Sequence, residues 1–567
     1  MRSKRRRKSR FWPWGAAILV IAGGATAWVL LQRNLLPGDT PAGVQLVPQD
    51  AAATVSIATY VNQWQQAREF GTPETQAAVN NQLATWRDSF LTANGYEYER
   101  DIQPWLGKEV TIAYLSSEQS SAVAVLLPIA KPAELQQIFI KANGEKSPKL
   151  VERNYQGIQI RETPESSVNR LSVAVVGNFL VVTNEPKATE RIIDTYKGAP
   201  ALTTVPGYRE AWGQIQVSQP FARLYLNVPA ASAIAATTST RPLSPTSLAQ
   251  LQQKQGVAVA VKLETEGMKF KGISWFKPNS QQKLVVENNA KTMASRLPEE
   301  TLVAIAGGNL QRLWQDYTQG AQANPLSPIS PEMWKAGLKS KTGLDLEQDL
   351  LPWMAGEFSI SLIPTSPETP SGLGAALLFM VQTSDRRAAE TSLKQLDVVM
   401  AKEYQFQVQE TQLGDRPVVT WTSPLNGLSA THGWLDGNVA FLLLGAPVTG
   451  AIVPKPKVPI TENKLFQQTV GGELSANNGY FFIDFDKTIN AGNLALPQLS
   501  PDLRKFAQGI RGLGVTAAIS SDRSSRFDIL VLMKKASNVP PLPSSKSSPI
   551  FVPSPKKTAV PKKTGVP

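Results

Sequence analysis

Over much of the chain apolar and polar residues alternate in short runs, the period-2 pattern of strands that bury one face. The runs ATVSIAT, EVTIAYL, AVAVLLPI, LSVAVVG, FLVVTN, FARLYLNV, VAVAVKLE and FKGISWF all fall between Ala53 and Phe276. Helical periodicity replaces them in ETQAAVNNQLATWRDSFL, PAELQQIFIKA and PKATERIIDTYKG. The last two carry Pro at or near the first turn, where a missing N–H is harmless. The pairs Gly177-Asn178 and Gly437-Asn438 separate apolar runs and predict two-residue hairpin turns, with both residues at positive φ. Strands joined by tight turns pair antiparallel. The pattern therefore predicts an α+β fold of mainly antiparallel sheet, with helices packed on one face.

The pattern also recurs. DIQPWLGKEV (Asp101 to Val110) matches DLLPWMAGEF (Asp349 to Phe358), sharing D-[IL]-x-P-W-[LM]-[GA]-x-E-[VF]. Upstream, Pro48-Gln49-Asp50 and Trp64 match Pro298-Glu299-Glu300 and Trp314. Downstream, Gly177-Asn178 corresponds to Gly437-Asn438, and Gly256 aligns with Gly514. The matches keep one order at separations of about 250 residues, which predicts duplication of a whole domain. The expected modules span 46–278 and 296–535, with linkers at 33–45 and 279–295.

Composition changes the picture at the two ends. The chain has 567 residues and a net charge of +13, but positions 1–10 hold seven cations and no acid. The segment 536–567 holds five cations, no acid and eight prolines, and predicts a disordered tail. About +1 remains for the body, so the basic balance does not point to a nucleic-acid partner. Residues 11–32 carry no ionisable side chain and at helical rise reach roughly 33 Å, enough to cross a bilayer. Trp12, Trp14 and Trp28 lie near its ends, and the basic segment 1–10 would stay cytoplasmic. The prediction is a single-pass anchor with the lipid bilayer as partner and the body in the periplasm or a thylakoid lumen. Ala25-Thr26-Ala27 leaves a cleaved signal peptide as one alternative, and a buried helix of a soluble fold is the other.

Candidate chemistry is sparse. With no Cys and one His, thiolate catalysis, disulfides and Cys-ligated metals are excluded. His432 lacks the neighbours of a triad or metal site, and no phosphate loop, G-x-S-x-G or H-E-x-x-H occurs. Ser274/Lys277 and Ser280/Lys283 match S-x-x-K at chance level, and Gly372/Gly374 and Gly512/Gly514 lack a third glycine. Glu109 and Glu357, preceded by Asp101 and Asp349, read either as a repeated acid/base set or as a strand-entry motif. In the second reading Pro104 and Pro352 set the turn, Trp105 and Trp353 bury a ring, and the acids bind backbone amides. Asp484 and Asp486 would share a strand face, a placement that suits a hard cation, but the first repeat lacks them near Tyr225 to Asn227. Trp64, Trp86, Trp212, Trp314 and Trp421 default to core packing. No catalytic, cofactor or metal residue is assigned.

The basic N-terminus with its single span, the P-[QE]-[DE] strand start and the repeated D-[IL]-x-P-W motif together resemble a bacterial membrane-anchored family, domain of unknown function 3352. The resemblance covers most of residues 44–535. It implies an exported or envelope location and carries no catalytic residues. The expected function is a non-enzymatic binding or scaffold protein of the envelope, with an envelope protein or lipid as ligand in the cleft between modules. The alternatives are a carboxylate-dependent hydrolase of envelope polymers or lipids, and a lipid-handling carrier.

Overall fold

The computed structural model describes residues 40–536 apart from 91–95, 117–121, 143–149, 165–169, 239–247, 250, 322–329, 366–373, 425–428, 446–447, 473, 475 and 492–499. The predicted anchor at 11–32 and the tail from 537 onward lie outside these residues. Among the described residues no helix is long and apolar enough to cross a membrane.

The alternating runs form strands β1 (Ala53–Ala58), β2 (Glu109–Leu115), β3 (Ala122–Pro128), β4 (Val151–Tyr155), β5 (Ile158–Glu162), β6 (Ser172–Val176), β7 (Phe179–Thr183), β8 (Ala222–Asn227), β9 (Lys254–Glu264) and β10 (Gly267–Phe276). They continue as β11 (Val303–Gly307), β12 (Phe358–Pro364), β13 (Ala375–Gln382), β14 (Gln407–Leu413), β15 (Arg416–Thr422), β16 (Ser429–Trp434), β17 (Val439–Leu444), β18 (Gly479–Asp484), β19 (Ile510–Ser521) and β20 (Ser524–Met533). Among the described residues all pairings are antiparallel and join one 20-stranded sheet. From one edge the order is β4, β5, β6, β7, β3, β2, β1, β8, β9, β10. It continues β20, β19, β18, β11, β12, β13, β17, β16, β15, β14. This order is palindromic: each strand of β1–β10 has a counterpart ten numbers higher, at the same distance from the central β10/β20 seam.

Helices cover both faces, where the sequence pattern led to one. Along β10, Ile273 and Trp275 join a core containing Tyr208 and Trp212 of the helix Tyr208–Gln214. Met268 points the other way, into a cluster with Trp64 of the helix Val61–Glu69 and with Met533. Alternation along a strand sends successive side chains to opposite faces, and here both are buried. A further core in the second half gathers Met293, Leu378, Phe441, Phe466, Tyr480 and Phe482.

Two local expectations change. Val176 pairs with Phe179, so Gly177-Asn178 is a two-residue turn, but only Gly177 takes a positive φ, at 56°. Gly437 (φ 65°) sits instead in a longer turn closed by Leu435 N–H donating to Val439 O at 2.9 Å. Gly256 pairs with Asn227 at the end of β8, and the residue pairing likewise with Asp484 at the end of β18 is Gly512 rather than Gly514. The glycines Gly512 and Gly514 serve packing: a Cβ would lie 2.9 Å from Leu465 at one and 2.4 Å from Thr469 O at the other, so the helix Lys464–Val470 rests directly on β19.

Candidate functional site

The repeated acids are built from the turn upward. Residues Tyr98–Ile102 and Leu346–Leu350 each form one π-helical turn before the Pro-Trp step. Asp101 Oδ2 accepts from Glu97 N–H at 2.8 Å, and Asp349 Oδ2 from Asp345 N–H at 2.7 Å, closing the turn on itself. The indole N–H of Trp105 donates to Asp101 O at 2.7 Å and that of Trp353 to Asp349 O at 3.0 Å. Both rings are buried. The chain then enters β2 or β12, and the glutamate at the entry points into the sheet interior.

Glu109 is 6% exposed; its Oε2 accepts from Ala42 N–H at 3.0 Å, and Arg223 Nη1 lies 3.1 and 3.3 Å from its two oxygens. Burial pushes its carboxyl above the usual range, against the opposing pull of Arg223 and the Ala42 N–H. Glu357, 5% exposed, accepts from Thr292 N–H at 2.8 Å, Met293 N–H at 3.0 Å and the Thr292 hydroxyl at 2.5 Å. Each glutamate thus clamps the stretch of chain that leads into its half of the sheet. Val44, within the stretch read as a linker, is fully buried just beyond the first clamp.

The second half has no arginine at the matching place. Arg223 stands opposite Ser56 on β1, and Tyr480 stands opposite Ala306 on β11. The Tyr480 hydroxyl is buried without a hydrogen-bond partner, and burial first, then the nearby Glu357, push its pKa well above the ordinary phenol range.

The other candidates also resolve into structure. His432 lies on β16, 4% exposed, with Nε2 2.7 Å from Asp397 Oδ1; the Trp421 indole donates to the same oxygen at 2.7 Å. Asp397 on the helix Arg386–Lys402 thereby ties that helix to β15 and β16. Asp484 and Asp486 do not share a strand face, because β18 ends at Asp484. Asp484 Oδ1 accepts from Lys487 N–H, as Asn227 Oδ1 accepts from Ala230 N–H after β8, while Asp486 pairs with Lys534 at 2.8 Å. Among the described residues no group of three His, Asp or Glu is placed to hold a metal. Ser274 meets Ser525 across the seam, and Trp314 is half-buried with its N–H on Glu347.

The cleft expected between the halves is filled by main-chain pairing of β10 with β20. A groove of about 580 Å3 lies elsewhere, against the helix Arg386–Lys402, with Asp349 and Lys394 as its charged lining beside Leu344 and Val398. Sequence reasoning missed Arg223, Thr292 and Asp397. An isolated Arg at an inward strand position, flanked by Ala222 and Leu224, was the one signal that pointed to a buried partner.

Fold and site define a mixed protein of helices and one large antiparallel sheet whose recurrent acids hold its own backbone. The chain belongs to the family described as Protein of unknown function (DUF3352), which matches residues 14–533. No curated protein matches it. It is similar to solved structures of TP0453 in crystal forms IV, III and I, at 11, 11 and 10% identity and TM-scores of 0.25, 0.24 and 0.25. Those matches cover 42, 44 and 42% of this chain and 80, 82 and 80% of the other chains. A likeness at such scores carries no argument about architecture or role.

Proposed function

We propose that this chain is a membrane-anchored, non-enzymatic binding or scaffold protein of the cell envelope, held by the segment 11–32 with its body outside the cytosol. The body is read as two modules related by duplication, and the palindromic strand order supports that reading. One observation carries the non-catalytic part: Glu109 and Glu357, the carboxylates that recur, spend their oxygens on Ala42, Arg223, Thr292 and Met293. A general acid or nucleophile must present an oxygen to substrate, whereas these are sealed inside the sheet by their own chain. An envelope protein or a lipid is the ligand class this reading favours.

The test has two arms. In sealed right-side-out spheroplasts, added protease is expected to digest the body, and removal of residues 11–32 to release the chain from the membrane fraction. A body digested only after lysis overturns the location. Separately, Glu109→Gln and Glu357→Gln chains that remain folded are expected to keep binding of envelope components. Loss of a hydrolytic activity on envelope polymers or lipids in those variants would establish the hydrolase instead.

A further inference from the structure

The seam at the middle of the sheet pairs nine residues of β10 with nine of β20, from Gly267 with Leu532 to Trp275 with Ser524. At its centre Lys271 faces Asp528. Lys271 stands opposite Ala260 on β9, and Asp528 stands opposite Thr516 on β19. Ala260 in turn faces Arg223, and Thr516 faces Tyr480, the two residues already matched across the halves. Lys271 and Asp528 therefore occupy the same position in their halves and meet on the local two-fold axis that relates them. Both are buried, at 8% and 1% exposure.

We infer that Lys271 and Asp528 form an electrostatic key that makes β10 pair with β20 and not with a second copy of itself. A residue on a two-fold axis meets its own equivalent. If two β10 strands paired in this register, Lys271 would face Lys271; two β20 strands would set Asp528 against Asp528. Like charges directly opposite on a sheet are destabilising, and more so when water is excluded. The apolar face discriminates less: Gly272 accommodates the Phe527 ring, and in a β10 pair it would meet Phe270 instead. Strands with ten residues of open edge are templates for pairing with another chain, so the choice of partner rests on the charged pair.

The neighbours make the key lopsided. Asp528 sits among Lys269, Lys271 and Arg526, which oppose the upward push of burial on its carboxyl. The adjacent Lys262 is paired with Glu264 at 2.9 Å. Reversing Asp528 alone gathers cations at one spot, whereas reversing Lys271 alone places two acids between Lys269 and Arg526.

The test uses the full chain in detergent and three variants: Asp528→Lys, Lys271→Asp, and the two together. Urea unfolding and light scattering are read for each. Asp528→Lys is expected to lower the folding equilibrium constant about tenfold or more and to raise the fraction of dimers and larger species. Lys271→Asp alone should do less harm. Added to Asp528→Lys it should restore most of the loss and the monomer fraction, since the swapped pair keeps opposite charges on the axis. If Asp528→Lys yields no folded protein, a folded double variant supports the key and an unfolded one overturns it. A loss under about twofold in Asp528→Lys, or a double variant no better than Asp528→Lys, also overturns it.

Discussion

Arg223 closes on Glu109 at 3.1 Å with both side chains only 7% exposed, while the matching position before Glu357 is held by Tyr480, whose hydroxyl has no partner. One architectural place thus carries an ion pair in one half and a tyrosine in the other. A buried ion pair contributes little over an apolar replacement, but removing one partner strands a charge.

Arg223→Met is therefore expected to destabilise the chain by about 3–5 kcal/mol, because Glu109 is left buried and uncompensated. Tyr480→Phe removes a hydroxyl that bonds nothing and should change stability by less than about 1 kcal/mol in either direction. Urea midpoints of the two variants decide the matter; equal losses would mean that the two positions carry the same weight.

Glu357 receives three donors from Thr292 and Met293. Glu357→Gln keeps one carbonyl acceptor and should cost about 1–2 kcal/mol, whereas Glu357→Ala abandons all three donors and should cost about 3 kcal/mol or more. Hydrogen exchange supplies a local readout: the amides of Thr292 and Met293 should lose protection in Glu357→Ala before the rest of β12 does.

Glu109 adds a pH dependence whose sign follows from its raised pKa. A carboxyl raised in the folded state favours folding below its unfolded pKa, and that contribution fades as pH rises through the folded value. The stability advantage of the native chain over Glu109→Gln should accordingly be larger at pH 4 than at pH 7, compared at equal ionic strength. An advantage that grows with pH would mean that the attraction of Arg223 outweighs burial.

The two motif tryptophans should differ. Trp353 and the Ser392 hydroxyl both donate to Asp349 O, the latter at 2.7 Å, so Trp353→Phe leaves that carbonyl with a donor. Trp105→Phe removes the 2.7 Å bond to Asp101 O. Each loses ring volume, and Trp105→Phe should cost about 1 kcal/mol more, the typical value of one hydrogen bond. Thermal unfolding of the two variants measures the difference.

What could be read directly from the chain was local. Alternation marked β1, β2, β3 and β6 to β10, because a strand with a buried face must place apolar residues at every second position. The D-x-x-P-W motif was legible as a strand entry because Asp101, Pro104, Trp105 and Glu109 act within nine residues of one another. The hairpin β4/β5 escaped notice since VERNY and IQIRE lie at the sheet edge, where polar side chains are tolerated on both faces. Asp484 and Asp486 misled for a related reason: a strand's end is set by where its partner β19 stops pairing, beyond the reach of a periodicity.

The sequence by itself thus determined the class of fold, the family and the recurring motif, since each rests on neighbours along the chain. Only the tertiary structure decided that Glu109 meets Arg223, that Glu357 clamps Thr292 and that Lys271 faces Asp528. Those partners lie between 65 and more than 250 positions apart. Their register is set by the cumulative pairing of the whole sheet, and a shift of one residue in any ladder would turn each side chain to the other face.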